Sequence, residues 1–171
     1  MSDFCYNIIV YSDAAFDVTE DSKSQSGFII LINGNNVYSN SKKQNIIAQS
    51  SYEAELTSLV EASNESIGIK YLVEEIVGCE DVNNIIYVFT DSQSSIDVIT
   101  NKRTRLRKHI NRKFNILKER IENEEMNMRH MNTNILPADL LTKPLEQSKF
   151  ELFADMILGY KDIPLPIEDD S

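Results

Sequence analysis

Four carboxylates stand where they could act together. Asp13 closes the run Asn7 to Asp13 (Asn-Ile-Ile-Val-Tyr-Ser-Asp), and Asp91 closes a run of the same design, Ile85 to Asp91 (Ile-Ile-Tyr-Val-Phe-Thr-Asp). Glu55 stands near the start of a long helical pattern, and Asp139 follows Pro137-Ala138. Each has an ordinary explanation by itself. Asp13 suits a turn or a helix cap, Asp91 precedes Ser92-Gln93 and suits a cap, and Asp139 suits a helix N-terminus. Together they point to a cation site. Two adjacent strands that deliver acids to one edge of a sheet set like charges side by side, which costs stability unless a cation neutralises them.

The third acid has a rival in Glu53. Ser50-Ser51-Tyr52-Glu53 is a capping box, in which Ser50 and Glu53 satisfy backbone N–H groups at a helix start, so Glu53 has a structural task. Glu55 has none. It precedes Leu56 and Leu59 on the side expected to face a sheet, and an acid at the rim of a buried face needs a reason.

These acids need elements to position them. The short, apolar, β-branched runs ending at Asp13 and Asp91 read as buried central strands. Phe28 to Ile32 is a further strand, Asn33-Gly34-Asn35-Asn36 a hairpin, and Val37 to Ser41 a third, more polar strand. The polar stretch from Phe16 to Ser26 reads as a loop. From the capping box a helix runs through Leu56, Leu59, Val60, Ser63, Ile67, Leu72, Val73 and Ile76 to about Val77, with Gly78 ending it. A short helix covers about Ser92 to Thr100. Leu106, Ile110, Phe114, Leu117 and Ile121 form one apolar helical stripe, and Asn127 to Met131 a short last strand. Pro137 starts a turn or two of helix. A closing helix spans Glu146 to Leu158, with Phe150, Phe153, Met156 and Ile157 on its inner side and Gly159 at its end. The order is mixed α/β, antiparallel first and crossover-connected afterwards.

At 171 residues the chain suits one domain, expected over residues 1–160, with 161–171 an acidic, flexible tail. No apolar run approaches the roughly 18 to 20 residues of a membrane helix, and the first residues lack a secretory pattern. Cys5 and Cys79 are too few for a disulfide framework, so reduced thiols and an intracellular protein are expected. The net charge of −10 argues against a nucleic-acid partner, but its distribution argues for one. Between Val98 and Lys118 there is no acid, while Lys102, Arg103, Arg105, Arg107, Lys108, Arg112, Lys113 and Lys118 fall there, eight of seventeen basic residues. Such a cluster is either a phosphate-binding face or a solvated helix face.

Several segments carry a resemblance. Lys23-Ser24-Gln25-Ser26-Gly27, Ser41-Lys42-Lys43-Gln44, Ser50 to Glu55, Thr90-Asp91-Ser92-Gln93-Ser94, Lys108-His109-Ile110 and Ala138-Asp139-Leu140-Leu141-Thr142-Lys143-Pro144-Leu145 stand in order. In that order and at that spacing they resemble the ribonuclease H domain of copia-type LTR retrotransposons, over about Tyr6 to Gly159. The Glu-Ala-Glu and Ala-Asp-Leu-Leu-Thr-Lys-Pro-Leu segments are the most specific. In that family the domain closes a polyprotein after the reverse transcriptase, so the chain is expected to be an excised piece or a free-standing descendant. The resemblance implies a ribonuclease H-like, five-stranded mixed sheet flanked by helices. It implies an Asp, Glu, Asp, Asp quartet on Asp13, Glu55, Asp91 and Asp139.

The resemblance further implies hydrolysis of the RNA strand of RNA/DNA hybrids by two Mg2+ ions roughly 4 Å apart, with Mn2+ as a substitute. Asp13 would bridge the ions, Asp139 would hold the nucleophile side, and Glu55 and Asp91 the leaving-group side. The stretch Lys102 to Lys113 would lie along the phosphates, read by shape and 2′-hydroxyls. A reverse transcriptase of the same polyprotein is the implied partner, in a cytoplasmic virus-like particle or the nucleus. Many cellular members carry a histidine in the loop before the last Asp, whereas Asn132 to Leu136 contains none. His130 is expected to be structural, and His109 matches the family pattern without a derived role. Leu56, where the family often has an aromatic, and Ser92, where it often has Asn, depart from the pattern near the site. Two rivals stand beside this reading. One is a domesticated, non-catalytic module that binds nucleic acid or protein. The other is a phospho-acceptor domain, which needs a parallel βα order that the Asn33-Gly34 hairpin contradicts.

Overall fold

The chain builds one five-stranded sheet because its two most apolar runs are short, β-branched and buried on both faces. The computed structural model describes residues 6–17, 23–78, 85–100 and 108–163. Its strands are β1 (Ile8–Ala15), β2 (Gln25–Ile32), β3 (Asn35–Lys43), β4 (Ile86–Thr90) and β5 (Met126–His130), in the order β3-β2-β1-β4-β5. β1 pairs antiparallel with β2, and β2 with β3; β1 pairs parallel with β4, and β4 with β5. The helices are α1 (Ser51–Val77), α2 (Gln93–Thr100), α3 (Lys108–Glu122) and α4 (Gln147–Ile157), with 3-10 turns at Thr133–Ile135 and Pro137–Leu141. The mixed α/β order expected from the sequence is the order observed.

The hairpin between β2 and β3 turns on Asn33 and Gly34, both at positive φ (50° and 80°), the conformation of the tight turn whose twist suits paired strands. α1 starts at Ser50, whose hydroxyl accepts from the Glu53 N–H at 3.2 Å, while Glu53 Oε2 accepts from the Gln49 N–H at 2.9 Å. The reciprocal bond thus reaches one residue before the cap. Gly78, at φ 68°, ends the helix.

Alternation along β1 feeds two cores. Ile8 and Val10 join Phe28, Ile30, Leu56, Leu59, Val88, Phe114 and Leu117 beneath α1 and α3. Ile9 and Tyr11 join Ile29, Leu31, Phe89, Leu136, Ala138, Phe153 and Met156 beneath α4 and the Pro137–Leu141 turn. Ile163 is also buried in this second core.

Four expectations are corrected. β1 continues to Ala15, so Asp13 lies inside the ladder, opposite Gly27, and not at the strand's end. β3 runs from Asn35 to Lys43, longer than its polar composition suggested, because its ladder with β2 needs no buried face. Leu72 and Ile76 do not continue the buried stripe of α1: both are exposed, as is Tyr71, on a part of the helix that contributes no fully buried residue beyond Ser66. Phe150 is half exposed, since α4 turns Phe153 and Met156 inward. Among the described residues no helix is long and apolar enough to cross a membrane. Cys5, Cys79, Leu106 and residues 164–171 of the expected tail lie outside the described residues.

Candidate active site

Asp13 and Asp91 reach one place because β1 and β4 are parallel neighbours. Tyr11 pairs with Phe89, and each acid lies two residues further along its strand or just beyond it. The Pro137–Leu141 turn brings Asp139 to the same edge. Ligand oxygens of Asp13, Asp91 and Asp139 all lie within 4.8 Å of one another. Asp13 is 2 % exposed and Asp139 is fully buried, with Asp91 intermediate.

Glu55 enters from the first turns of α1 and is also buried. Its Oε1 accepts from the Ala14 N–H at 3.3 Å, and its Oε2 is buried with no hydrogen-bond partner among the described residues. It is not one of the three residues gathered within 4.8 Å. Burial, with Asp13 and Asp91 nearby, pushes its pKa up to about 9. Burial likewise raises Asp13 to about 6, reinforced by Asp139 and Asp91 and opposed by the Thr142 hydroxyl and Lys143.

Neutral and cationic side chains hold these acids. The Thr142 hydroxyl donates to Asp13 Oδ2. The Thr133 hydroxyl donates to Asp91 Oδ2 at 2.7 Å. The Ser58 hydroxyl on α1 lies 2.9 Å from the Asp13 carbonyl, tying helix to strand behind the acid. Lys143 Nζ is 2.9 Å from Asp139 Oδ1 and 3.9 Å from Asp13 Oδ2, and Lys149 Nζ is 2.9 Å from Asp139 Oδ2. Burial works against the Lys143 charge, yet the bond to Asp139 and the surrounding carboxylates outweigh it and raise its pKa.

Sequence reasoning missed Thr133, Ser58, Thr142, Lys143 and Lys149 as parts of the site. The i, i+4 spacing of Asp139 and Lys143 was the one local signal. The others meet the acids only through tertiary approach.

Of the basic stretch, Lys102, Arg103, Arg105 and Arg107 lie outside the described residues, and Lys108 is described only as the first residue of α3. Arg112 is exposed on α3. Lys113 is partly buried against α1. Its ammonium donates to Thr57 Oγ1 on α1 at 3.0 Å, because the helix face that buries Phe114 and Leu117 also brings Lys113 against α1. His130 ends β5 and is exposed.

The donor set is made of carboxylate oxygens alone, which suits hard divalent cations such as Mg2+ and Mn2+. Glu55 Oε2, buried and without a hydrogen-bond partner among the described residues, is a further carboxylate oxygen that such an ion could take once the carboxyl is ionised. The residues present fit such an ion.

No protein-family model matches the chain. It is 32% identical over 147 residues to the retrovirus-related Pol polyprotein of transposon TNT 1-94 from Nicotiana tabacum, covering 85% of this chain and 11% of that protein. It is 28% identical over 152 residues to the Ty1-JR1 Gag-Pol polyprotein of Saccharomyces cerevisiae, covering 86% of this chain and 8% of that one. Among solved structures, LC11-RNase H1, isolated from compost, superposes with a TM-score of 0.60 at 18% identity, covering 80% of this chain and 92% of that one. The same protein in complex with an RNA/DNA hybrid gives 0.58. The chain has the ribonuclease H fold and is a relative of copia-type retrotransposon polyproteins. It spans about a tenth of the length of those curated relatives. In this fold, the segments Glu53 to Glu55 and Ala138 to Leu145 are the same segments that supply Glu55, Asp139, Thr142 and Lys143 to the site.

Proposed function

We propose that this domain hydrolyses the RNA strand of RNA/DNA hybrids, with Asp13, Glu55, Asp91 and Asp139 as the ligands of two divalent cations, Mg2+ in first place. The observation that carries this reading is the gathering of Asp13, Asp91 and Asp139 oxygens within 4.8 Å at one sheet edge. Three carboxylates that close, two of them buried, form an arrangement that a bound cation stabilises strongly. Bound Mg2+ supplies Lewis-acid activation of water and neutralises charge developing on the phosphate oxygens.

The chain's own residues do the positioning. Thr142 orients Asp13 and Thr133 orients Asp91, each leaving carboxylate lone pairs free. The Ala14 N–H holds one oxygen of Glu55 and leaves the other available. Arg112 belongs to the basic stretch that would track the phosphates, and the hybrid held by LC11-RNase H1 on the same fold is the model for that partner. Within a longer polyprotein the domain would work beside a reverse transcriptase.

The test is incubation with a labelled RNA/DNA hybrid in Mg2+ or Mn2+, beside EDTA, a DNA duplex, and an Asp91→Asn variant. Wild type is expected to cut only RNA in the hybrid. Asp91→Asn, which keeps shape and removes a charged ligand, is expected to lower the rate by at least about 100-fold, a loss of ~2.7 kcal/mol of transition-state stabilisation. Hybrid binding without cleavage by wild type in either metal would replace this reading with a non-catalytic binding module.

A further inference from the structure

Asp139 is fully buried and carries an ammonium on each oxygen, but the two lysines are held differently. Lys149 Nζ is tied to Asp139 Oδ2 at 2.9 Å and to the Thr133 carbonyl at 3.0 Å, and it lies over the Phe153 ring at 5.1 Å. Thr133 in turn donates to Asp91. Lys149 therefore belongs to a bracket that joins Asp139 to Asp91 through one turn of backbone.

Lys143 has no such bracket. Among the described residues its polar contacts are Asp139 Oδ1 at 2.9 Å and Asp13 Oδ2 at 3.9 Å, and its side chain is 38% exposed. It stands between two carboxylates that lie far apart in the chain and offsets part of the charge of both. A divalent cation shared by Asp13 and Asp139 would do the same, and the two cations cannot hold that position together.

We propose that Lys143 is a displaceable counter-ion, which occupies the Asp13–Asp139 position in the metal-free protein and competes with the divalent cation for it. The proposal rests on the metal-binding reading of these carboxylates. Lys149 is a positioning residue, fixed by its bracket. Lys143 thus offsets part of the carboxylate charge of the metal-free site and sets how much metal is needed to load it.

Isothermal titration of the whole chain with Mn2+, and melting in EDTA, separate the possibilities. In Lys143→Met the competing charge is gone, so the Mn2+ Kd is expected to fall about tenfold. The same variant leaves the carboxylates without their counter-ion, so its melting temperature in EDTA is expected to drop by about 2–4 °C. Affinity and metal-free stability then move in opposite senses, which a merely structural lysine would not produce. Lys143→Arg, which keeps the charge, is expected to bind Mn2+ like wild type, and Lys149→Met is expected to bind it no more tightly. Unchanged or weaker Mn2+ binding in Lys143→Met would overturn the proposal. Equal tightening in Lys149→Met would also overturn it, by reducing the effect to a general field. A wild type that takes up no Mn2+ would overturn the metal site itself.

Discussion

Glu55 and Glu53 sit two residues apart on one helix turn, and their environments give them different work. Glu53 closes the helix start; Glu55 is buried beside Asp13 and Asp91. Carboxyls whose folded pKa lies above the usual range stabilise the fold fully only below about pH 4, and that contribution is lost as the pH rises through the folded value. Asp13, at about 6, and Glu55, at about 9, therefore make the metal-free protein progressively less stable from weakly acidic to alkaline pH. Melting temperatures recorded in EDTA across this range are expected to fall for wild type. They should fall less for Glu55→Gln, which has no charge to develop. Parallel curves for wild type and Glu55→Gln would contradict the burial of Glu55. The capping box made this choice legible in the sequence. The partners Thr133 and Lys149 were not legible, since nothing local ties residue 133 to residue 91 or residue 149 to residue 139.

Among the elements, the Pro137–Leu141 turn decides the site, and Gly27 on β2 decides the turn. A Cβ on Gly27 would stand 2.6 Å from Thr142 Cγ2 and 2.7 Å from Leu141 Cβ. Its absence lets the turn lie on the sheet beside Asp13, the residue paired with Gly27. The Ser41 hydroxyl on β3 donates to the Leu141 carbonyl at 2.6 Å and holds the turn from the other side. Gly27→Ala is expected to push the turn outward and to destabilise the protein by about 1–3 kcal/mol, read as a lower urea midpoint. Gly68, in α1 with open space around it, is the control. Gly68→Ala should raise the midpoint, by about 0.5–1 kcal/mol of helix propensity. Equal midpoints for Gly27→Ala and wild type would mean that the turn is free to retreat without loss. The strand and helix order was legible from short apolar runs, the Asn33-Gly34 turn and the capping box. The exposure of Leu72, Ile76 and Phe150 was not, because periodicity reports a face and not what covers it.

For the whole molecule, a chain of net charge −10 would bind phosphates only through a local concentration of positive charge. Lys113 donates to Thr57 on α1, whereas Arg112 is exposed on the same helix. Arg112→Ala is accordingly expected to weaken hybrid binding and to lower the slope of log affinity against log salt by about one, while Lys113→Ala leaves that slope unchanged and lowers stability. Equal slopes for wild type and Arg112→Ala, measured by fluorescence anisotropy over a salt series, would remove Arg112 from the interface.

The amino-acid sequence by itself determined the order of the elements and the sheet's antiparallel start, because those features depend on contacts between near neighbours and on the alternation of apolar residues. The tertiary structure alone decided that Asp13, Asp91 and Asp139 meet within 4.8 Å in a group that leaves out Glu55, and that Lys149 reaches Asp139 and Thr133 reaches Asp91. Those distances join residues many positions apart, and they are set by how the sheet and the turn on Gly27 pack. No local pattern in the chain encodes that packing.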